Sequence, residues 1–212
     1  MSARFLDEPA RAAFAKAIKT IEDTSAIEVV IAVRRSSAGY RHANAIVGVA
    51  IALAGLAAML FAASEFSTLA ILVDPFIVGA IAAGLVELAP PIKRALTPAR
   101  LREREVRRTA RATFVERGVH NTRDRSGLLV YVSWLERQAV VIADSGLDHP
   151  LPIGVLATIE RALTAAIPNG GVAVARALET VIAKLAPGMP RRSDDRNELP
   201  DAIDSDLQRG PR

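Results

Sequence analysis

The sequence predicts an α/β protein, in which helices flank a small sheet of mixed parallel and antiparallel strands and a two-helix transmembrane hairpin is inserted in the first crossover. Two apolar segments, residues 43–63 and 66–89, interrupt a chain that otherwise alternates between helix and strand patterns. The first segment contains no charged residue and is long enough to cross a hydrocarbon core of about 30 Å at about 1.5 Å per residue. Because only Ser64 and Glu65 separate the segments, we expect both chain ends on one side of the bilayer.

The part before the hairpin predicts one helix and one strand. Asp7 followed by Pro9 is typical of a helix start, and we expect a helix over residues 7–23. Apolar side chains recur there at the spacing of a helix face: Phe14, Ile18 and Ile21. Residues 27–33 are short, apolar and rich in β-branched side chains, which is typical of a buried strand.

The part after the hairpin predicts a helix, two strands and two further helices. Thr97, Pro98 and Gly118 occupy the positions of an N-cap, a first-turn proline and a C-terminal glycine, so we expect a helix from Thr97 to about Arg117. Two apolar runs joined by a short turn then predict a β-hairpin. These strands and the closing helices are residues 128–134, 139–143, 152–167 and 174–185.

This order predicts how the elements assemble. A strand, a crossover and a second strand favour a parallel pair, to which the β-hairpin adds an antiparallel neighbour. We therefore expect one soluble domain built from residues 1–42 and 90–187, with the membrane hairpin at residues 43–89. Residues 188–212 are rich in Pro, Asp and Arg, and we expect a disordered tail because they bury too little apolar surface to fold alone.

Basic residues concentrate beside the two apolar segments. Residues 1–42 contain seven Lys and Arg, residues 43–92 contain none, and residues 93–137 contain twelve. Because basic flanks are retained in the cytoplasm, we expect a multi-pass protein of the bacterial inner (plasma) membrane with both termini cytoplasmic. The net charge of +4 then reflects a basic collar at the membrane and does not indicate nucleic-acid binding. The absence of cysteine excludes disulfides and thiolate metal sites.

Several stretches resemble the TPM domain family. They read EDTSAIEVV at residues 22–30, TRDRSGLLVYVS at 122–133, ER at 136–137 and DSG at 144–146. The sequence NELP at residues 197–200 also resembles the ending of the bacterial branch of this family that carries an inserted transmembrane hairpin.

The resemblance implies a compact α/β sandwich. The family is often described as a phosphatase-type domain because a lumenal plant branch has been assigned acid phosphatase activity, and divalent cation binding is described for other members. Relatives usually keep the domain outside the cytoplasm and have a glycine-rich segment after the last strand, where this chain reads DSGLD at residues 144–148. We therefore carry over no catalytic residue.

Arginines recur on one face of the helix that follows the hairpin. They stand at i, i+4, i+7, i+8 and i+11: Arg100, Arg104, Arg107, Arg108 and Arg111. On a helix all five point within about a quarter of the circumference. This face fits anionic lipid headgroups or an acidic protein partner, or it only fixes the topology and solvates the helix.

Three acidic residues are further candidates. Asp74 precedes Pro75 inside the second apolar segment, where an ionisable residue indicates either a proton or ion pathway or a helix boundary or kink. Asp144 and Asp148 follow the last strand, where two carboxylates are able to hold a hard cation such as calcium or form an ordinary polar turn. The sequence predicts no other cofactor.

Motifs of catalysis are missing from the chain: it has no Gly-x-Ser-x-Gly elbow, no phosphate-binding loop and no dinucleotide fingerprint. We therefore favour a binding or accessory module at the membrane surface over an enzyme; the alternative is a membrane-bound metal-dependent phosphatase. Membrane lipids with anionic headgroups are the expected partners. Small residues in the apolar segments are compatible with a homo-oligomer formed through the membrane helices.

Overall fold

The computed structural model describes residues 5–147, 151–182, 190–191, 198–199 and 202–207. The chain forms two compact units, of which the first combines Met1–Ser37 with Glu103–Arg212 and the second is Ala38–Arg102. The helices are α1 (Glu8–Thr24), α2 (Arg41–Phe61), α3 (Thr68–Leu85), α4 (Pro90–Leu96), α5 (Ala99–Glu116), α6 (Val155–Ala166) and α7 (Gly171–Ile182). The strands are β1 (Glu28–Arg34), β2 (Gly127–Ser133), β3 (Gln138–Ala143) and β4 (Asp204–Ser205).

The first unit contains a four-stranded mixed sheet with the order β3-β2-β1-β4. Strands β1 and β2 are parallel, with Glu28 opposite Gly127, and β2 pairs antiparallel with β3. Both pairings confirm the sequence prediction, because a long crossover separates β1 from β2 whereas a short turn joins β2 to β3.

Helices cover both faces of this sheet. Side chains of α1, α6 and α7 share one core cluster with alternate residues of β1 and β2, including Phe14, Ile31 and Leu163. Val106 and Ala110 of α5 share the second cluster with the other faces of the same strands. Burial on both sides explains why the sequences of β1 and β2 are continuously apolar.

The helix predicted from Thr97 begins differently in the structure. Helix α4 precedes it, and α5 starts at Ala99, where the carbonyl of Pro98 accepts from the N–H groups of Leu101 and Arg102. The Thr97 hydroxyl does not cap α5, because it donates to the Lys93 carbonyl at 2.7 Å and so closes the end of α4. The α1 prediction is confirmed: the Asp7 carboxylate accepts from the Ala10 N–H at 3.1 Å.

The two closing helices start at positions that the apolar stripes did not predict. Helix α6 begins at Val155 rather than at residue 152, because Gly154 adopts a left-handed conformation with φ of +78° just before it. Helix α7 begins at Gly171, where a Cβ would come within 2.0 Å of the Phe5 carbonyl oxygen. The predicted end of α7 at residue 185 lies outside the described residues.

The tail predicted to be disordered adds a strand to the sheet in its described part. Strand β4 pairs in parallel with β1, with Asp204 opposite Ala32. Leu199 and Leu207 are buried in the two core clusters of the unit. For these residues the disorder prediction is wrong, because composition counts only local apolar content and this segment folds on a core that the rest of the chain supplies.

The second unit is built around α2 and α3, which pack against each other in antiparallel orientation. A Cβ on Gly79 would lie 2.6 Å from the Gly48 carbonyl oxygen, so the two backbones are in close contact there. At the other end of the pair, Gly55 lies next to Pro75. By length and composition, Arg41–Phe61 and Thr68–Leu88 are each apolar enough to cross a membrane.

Candidate functional site

Helix α5 presents an exposed arginine surface, which we define as Arg104, Arg108 and Arg111 of the first unit. All three side chains are exposed. None of them forms an ion pair with any residue that the structure describes. Val106 and Ala110, on the opposite side of the helix, are completely buried beneath it. The rotation of α5 is thereby fixed, and its arginine surface faces away from the core.

The other two predicted arginines differ from this set. The guanidinium of Arg107 contacts the Glu160 carboxylate at 3.0 and 3.3 Å and that of Glu103 at 3.4 Å. The hydrogen bonds to Glu160 raise the pKa of Arg107, and its charge is compensated within the protein. Arg100 is exposed and belongs to the second unit. Of the five predicted arginines, three in the first unit therefore have no acidic partner among the described residues.

Asp144, a predicted cation ligand, is buried in the turn after β3 and paired with an arginine. Its Oδ2 lies 3.0 Å from Nε of Arg125, and its Oδ1 accepts from the Ser145 N–H at 2.8 Å. A Cβ on Gly146 would come within 2.1 Å of the Asp124 carbonyl oxygen, so the turn is tightly packed. Asp148 lies outside the described residues.

A cluster of polar side chains lies where β1 and β2 end, and it was not among the predicted sites. Ser133 donates to Oε2 of Glu136 at 2.5 Å, and Oε1 of Glu136 accepts from the Ser37 N–H at 2.9 Å. The Ser37 hydroxyl lies 2.9 Å from Oγ of Ser133 and 3.0 Å from the Tyr131 hydroxyl. Ser133 and Glu136 are almost completely buried. The cluster holds the chain at Ser37, which is the last residue of the N-terminal stretch of the first unit.

The donor of each hydroxyl–hydroxyl hydrogen bond in this cluster follows from its neighbours. Ser37 donates to Ser133, which donates to Glu136, so the remaining bond of the Ser37 hydroxyl is accepted from Tyr131. Burial raises the pKa of Tyr131 to about 12, so its hydroxyl remains a donor at neutral pH. The spacing of Ser133 and Glu136 was visible in the sequence, but only the parallel pairing of β1 and β2 brings Ser37 to them.

A second polar cluster holds β4 against the sheet. The Asp204 carboxylate accepts from the guanidinium of Arg34 and lies 2.7 Å from Nε of Arg117. Arg34 also donates to the Asp204 carbonyl at 2.9 Å, and the carboxylate of Asp206 accepts from the Arg35 N–H at 2.7 Å. Asp204 thus neutralises basic side chains at the ends of β1 and α5, and Asp206 binds the backbone that follows β1.

Two acidic residues of the second unit have different surroundings. Glu87 lies 2.6 Å from Nζ of Lys93 and accepts from the Asn44 amide at 2.6 Å, so its charge is compensated within this unit. Asp74 is exposed on α3 and forms no ion pair within the described part of the chain. Helix α3 continues through Pro75, so these residues do not mark the helix boundary considered from the sequence.

Comparison with protein-family models and with curated proteins gave no match. Among solved structures, the chain is similar to the NMR structure of the BA42 protein from the psychrophilic bacterium Bizionia argentinensis. The TM-score is 0.56 at 17% sequence identity, and the similarity covers 95% of each chain. At this identity the likeness concerns the fold.

Proposed function

We propose that this chain is an integral protein of a bacterial inner membrane, in which α2 and α3 form a transmembrane hairpin and the first unit is a cytoplasmic, TPM-like binding or accessory module. The observation that carries the proposal is the exposed apolar surface of the two helices. Only 6% of the most apolar window of Arg41–Phe61 and 17% of that of Thr68–Leu88 is buried.

A core helix of a soluble protein would bury most of such a surface. Large apolar side chains instead stand exposed along both helices: Val49, Leu53, Leu60, Leu69, Leu72, Phe76, Ile77 and Ile81. A contiguous apolar surface of this extent calls for a lipid or protein environment. The tight contact of Gly48 with Gly79 supports a hairpin that enters lipid as one packed pair.

The distribution of charge supports a cytoplasmic location for the first unit. Basic residues occur on both sides of the hairpin, including Arg41 before it and Lys93 and Arg94 after it, whereas residues 43–92 contain none. Retention of such residues in the cytoplasm places both chain ends there.

The environments of the buried acids favour a binding module over the metal-dependent phosphatase. Asp144 is compensated by Arg125, and Glu136 accepts from Ser133 and from the Ser37 N–H. Carboxylates that already hold internal donors have fewer lone pairs for a metal ion or a substrate. We propose that the unit presents its surface to a partner instead.

Extraction of membranes tests the hairpin. The full chain, expressed in bacteria, is expected to remain in the membrane pellet after washing with alkaline carbonate and to be released by detergent. A variant with Leu53→Arg and Ile77→Arg, which places charge in the middle of each apolar helix, is expected to lose this resistance. Release of the unmodified chain by carbonate would contradict the proposal.

Labelling of single cysteines tests the orientation, and the cysteine-free chain makes each label unambiguous. Ser64→Cys lies in the connection between α2 and α3, whereas Lys16→Cys lies on the exposed face of α1. In intact cells a membrane-impermeant maleimide is expected to label Ser64→Cys and to reach Lys16→Cys only after the membrane is opened. The reverse pattern, or labelling of both, would disprove a cytoplasmic first unit.

A further inference from the structure

We propose that the arginine surface of α5, Arg104, Arg108 and Arg111, binds the phosphate headgroups of anionic lipids. The inference rests on the proposed membrane location and names the partner that the first unit meets there. It depends on which arginines are available, how the helix presents them and how the chain tethers them.

The availability of the three arginines follows from their contacts. Arg107 is held by Glu160 and Glu103, and Arg117 is held by Asp204. Arg104, Arg108 and Arg111 have no acidic partner among the described residues. Three guanidinium groups therefore retain all their donors, and guanidinium matches the geometry of phosphate oxygens.

The presentation of the surface follows from helix geometry. Arg104, Arg108 and Arg111 lie within about 60° of arc and about 10 Å along the axis of α5. Because Val106 and Ala110 are completely buried, the helix cannot rotate to scatter these charges. Val115 lies within the same arc and is 64% exposed, so the surface combines positive charge with an apolar side chain. That combination suits the interface between headgroups and acyl chains.

The chain that connects the second apolar helix to Arg104 favours lipid over an acidic protein as the partner of the arginine surface. Arg104 comes sixteen positions after Leu88, where the second apolar helix segment ends. Even if fully extended, this connection would span about 55 Å, so a membrane-inserted hairpin keeps the arginine surface within that distance of its membrane end. Such a short connection gives lipid headgroups a high effective concentration at the arginine surface. A soluble acidic partner would need a comparable concentration to compete.

The test uses the full chain reconstituted in vesicles of phosphatidylcholine alone or with one third phosphatidylglycerol. A fluorophore on Ala112→Cys, an exposed position next to the arginine surface, reports the approach of a nitroxide quencher attached to lipid headgroups. We expect quenching to increase about twofold or more with phosphatidylglycerol and to return to the phosphatidylcholine level in high salt. Free glycerol phosphate at the same phosphate concentration is expected to leave it unchanged.

The triple variant Arg104→Gln, Arg108→Gln and Arg111→Gln is expected to lose the dependence on phosphatidylglycerol. A matched control removes the same number of exposed basic residues from α1 and α7 of the same unit: Lys16→Gln, Lys19→Gln and Arg176→Gln. This control is expected to retain at least half of the increase, because its substitutions remove charge elsewhere on the surface.

Each other outcome has a defined meaning. Flotation of the chain with both kinds of vesicle, combined with quenching that ignores phosphatidylglycerol, would overturn this inference and leave the membrane hairpin intact. Added polyglutamate is a competitor for the arginine surface. If it abolishes the quenching even in vesicles that contain phosphatidylglycerol, the surface prefers an acidic polypeptide and this inference is overturned. Failure of the chain to float with either vesicle would refute the proposed function and this inference together.

Discussion

The hydroxyl of Ser133 donates to the carboxylate of Glu136 at 2.5 Å, across the turn that joins β2 to β3. Both residues are almost completely buried, and the same carboxylate accepts from the Ser37 N–H. This contact links the end of β2 to the end of β1, so one buried acid secures both parallel strands where they leave the sheet.

Removal of the Ser133 hydroxyl is expected to destabilise the first unit. Ser133→Ala leaves the buried carboxylate of Glu136 without one donor, which should lower the free energy of unfolding by about 1.5 to 3 kcal/mol. Chemical unfolding in detergent measures the change. Thr180→Ala is the control, because its hydroxyl bonds to the Arg176 carbonyl at the exposed surface of α7 and its loss should cost much less. Equal losses for the two variants would contradict the role assigned to the cluster.

Tyr131 is expected to ionise only at strongly alkaline pH, because its folded-state pKa is raised to about 12. The chain has two tyrosines, so the Tyr40→Phe variant isolates the absorbance change of Tyr131. The unfolded phenol has a pKa of about 10, so between the two values the folded state binds more protons and stability falls as pH rises. Below about pH 10 this contribution is complete. A wild-type stability profile parallel to that of Tyr131→Phe over this range would count against the assignment.

Gly79 is expected to tolerate no side chain in the packed hairpin. Gly79→Ala would place a Cβ 2.6 Å from the Gly48 carbonyl oxygen, so the helices must separate, at a cost of about 1 to 3 kcal/mol. Gly84→Ala is the matched control, because a Cβ there meets nothing within 4 Å. Thermal unfolding in the same detergent compares them, and a Gly84→Ala variant as unstable as Gly79→Ala would argue against close packing.

Asp204 is expected to hold β4 in place. Asp204→Asn removes the charge that Arg34 and Arg117 share, and we expect residues 202–207 to exchange their amide hydrogens about tenfold faster. Glu179→Gln removes a partly exposed carboxylate from its ion pair with Lys16 and is expected to leave this exchange unchanged. Unaltered exchange in Asp204→Asn would show that the burial of Leu199 and Leu207 is sufficient.

Asp144→Asn separates the binding module from the phosphatase. If Asp144 serves its pairing with Arg125, the variant loses about 1 to 3 kcal/mol of stability, and calorimetric titration with calcium gives the same heats as the wild type. Saturable calcium binding and hydrolysis of phosphate esters that both disappear in the variant would instead establish the enzyme.

The core of the first unit could be predicted because the spacing of apolar residues within each helix or strand identifies that element. Asp7, Pro9 and the stripe of Phe14, Ile18 and Ile21 predict α1, and the apolar runs of β1, β2 and β3 predict three of the four strands. Strand β4 could not be predicted, since two residues carry no periodicity and pair only because β1 offers an open edge.

The candidate site divides in the same way. The arginine face of α5 was visible because helical spacing alone places arginines together. Which of them are available was not visible, because Glu160, which neutralises Arg107, lies 53 residues further along the chain.

By itself the sequence determined the two apolar helices, the parallel and antiparallel pairings and the arginine face, since each depends on local period, length or connection. Only the tertiary structure decided that Ser37 meets Ser133 and Glu136, and that Asp204 joins Arg34 to Arg117. It also decided that three arginines of the α5 face have no acidic partner among the described residues. Those contacts join segments that are far apart in the sequence and that the sheet brings together, so no local pattern of residues predicts them.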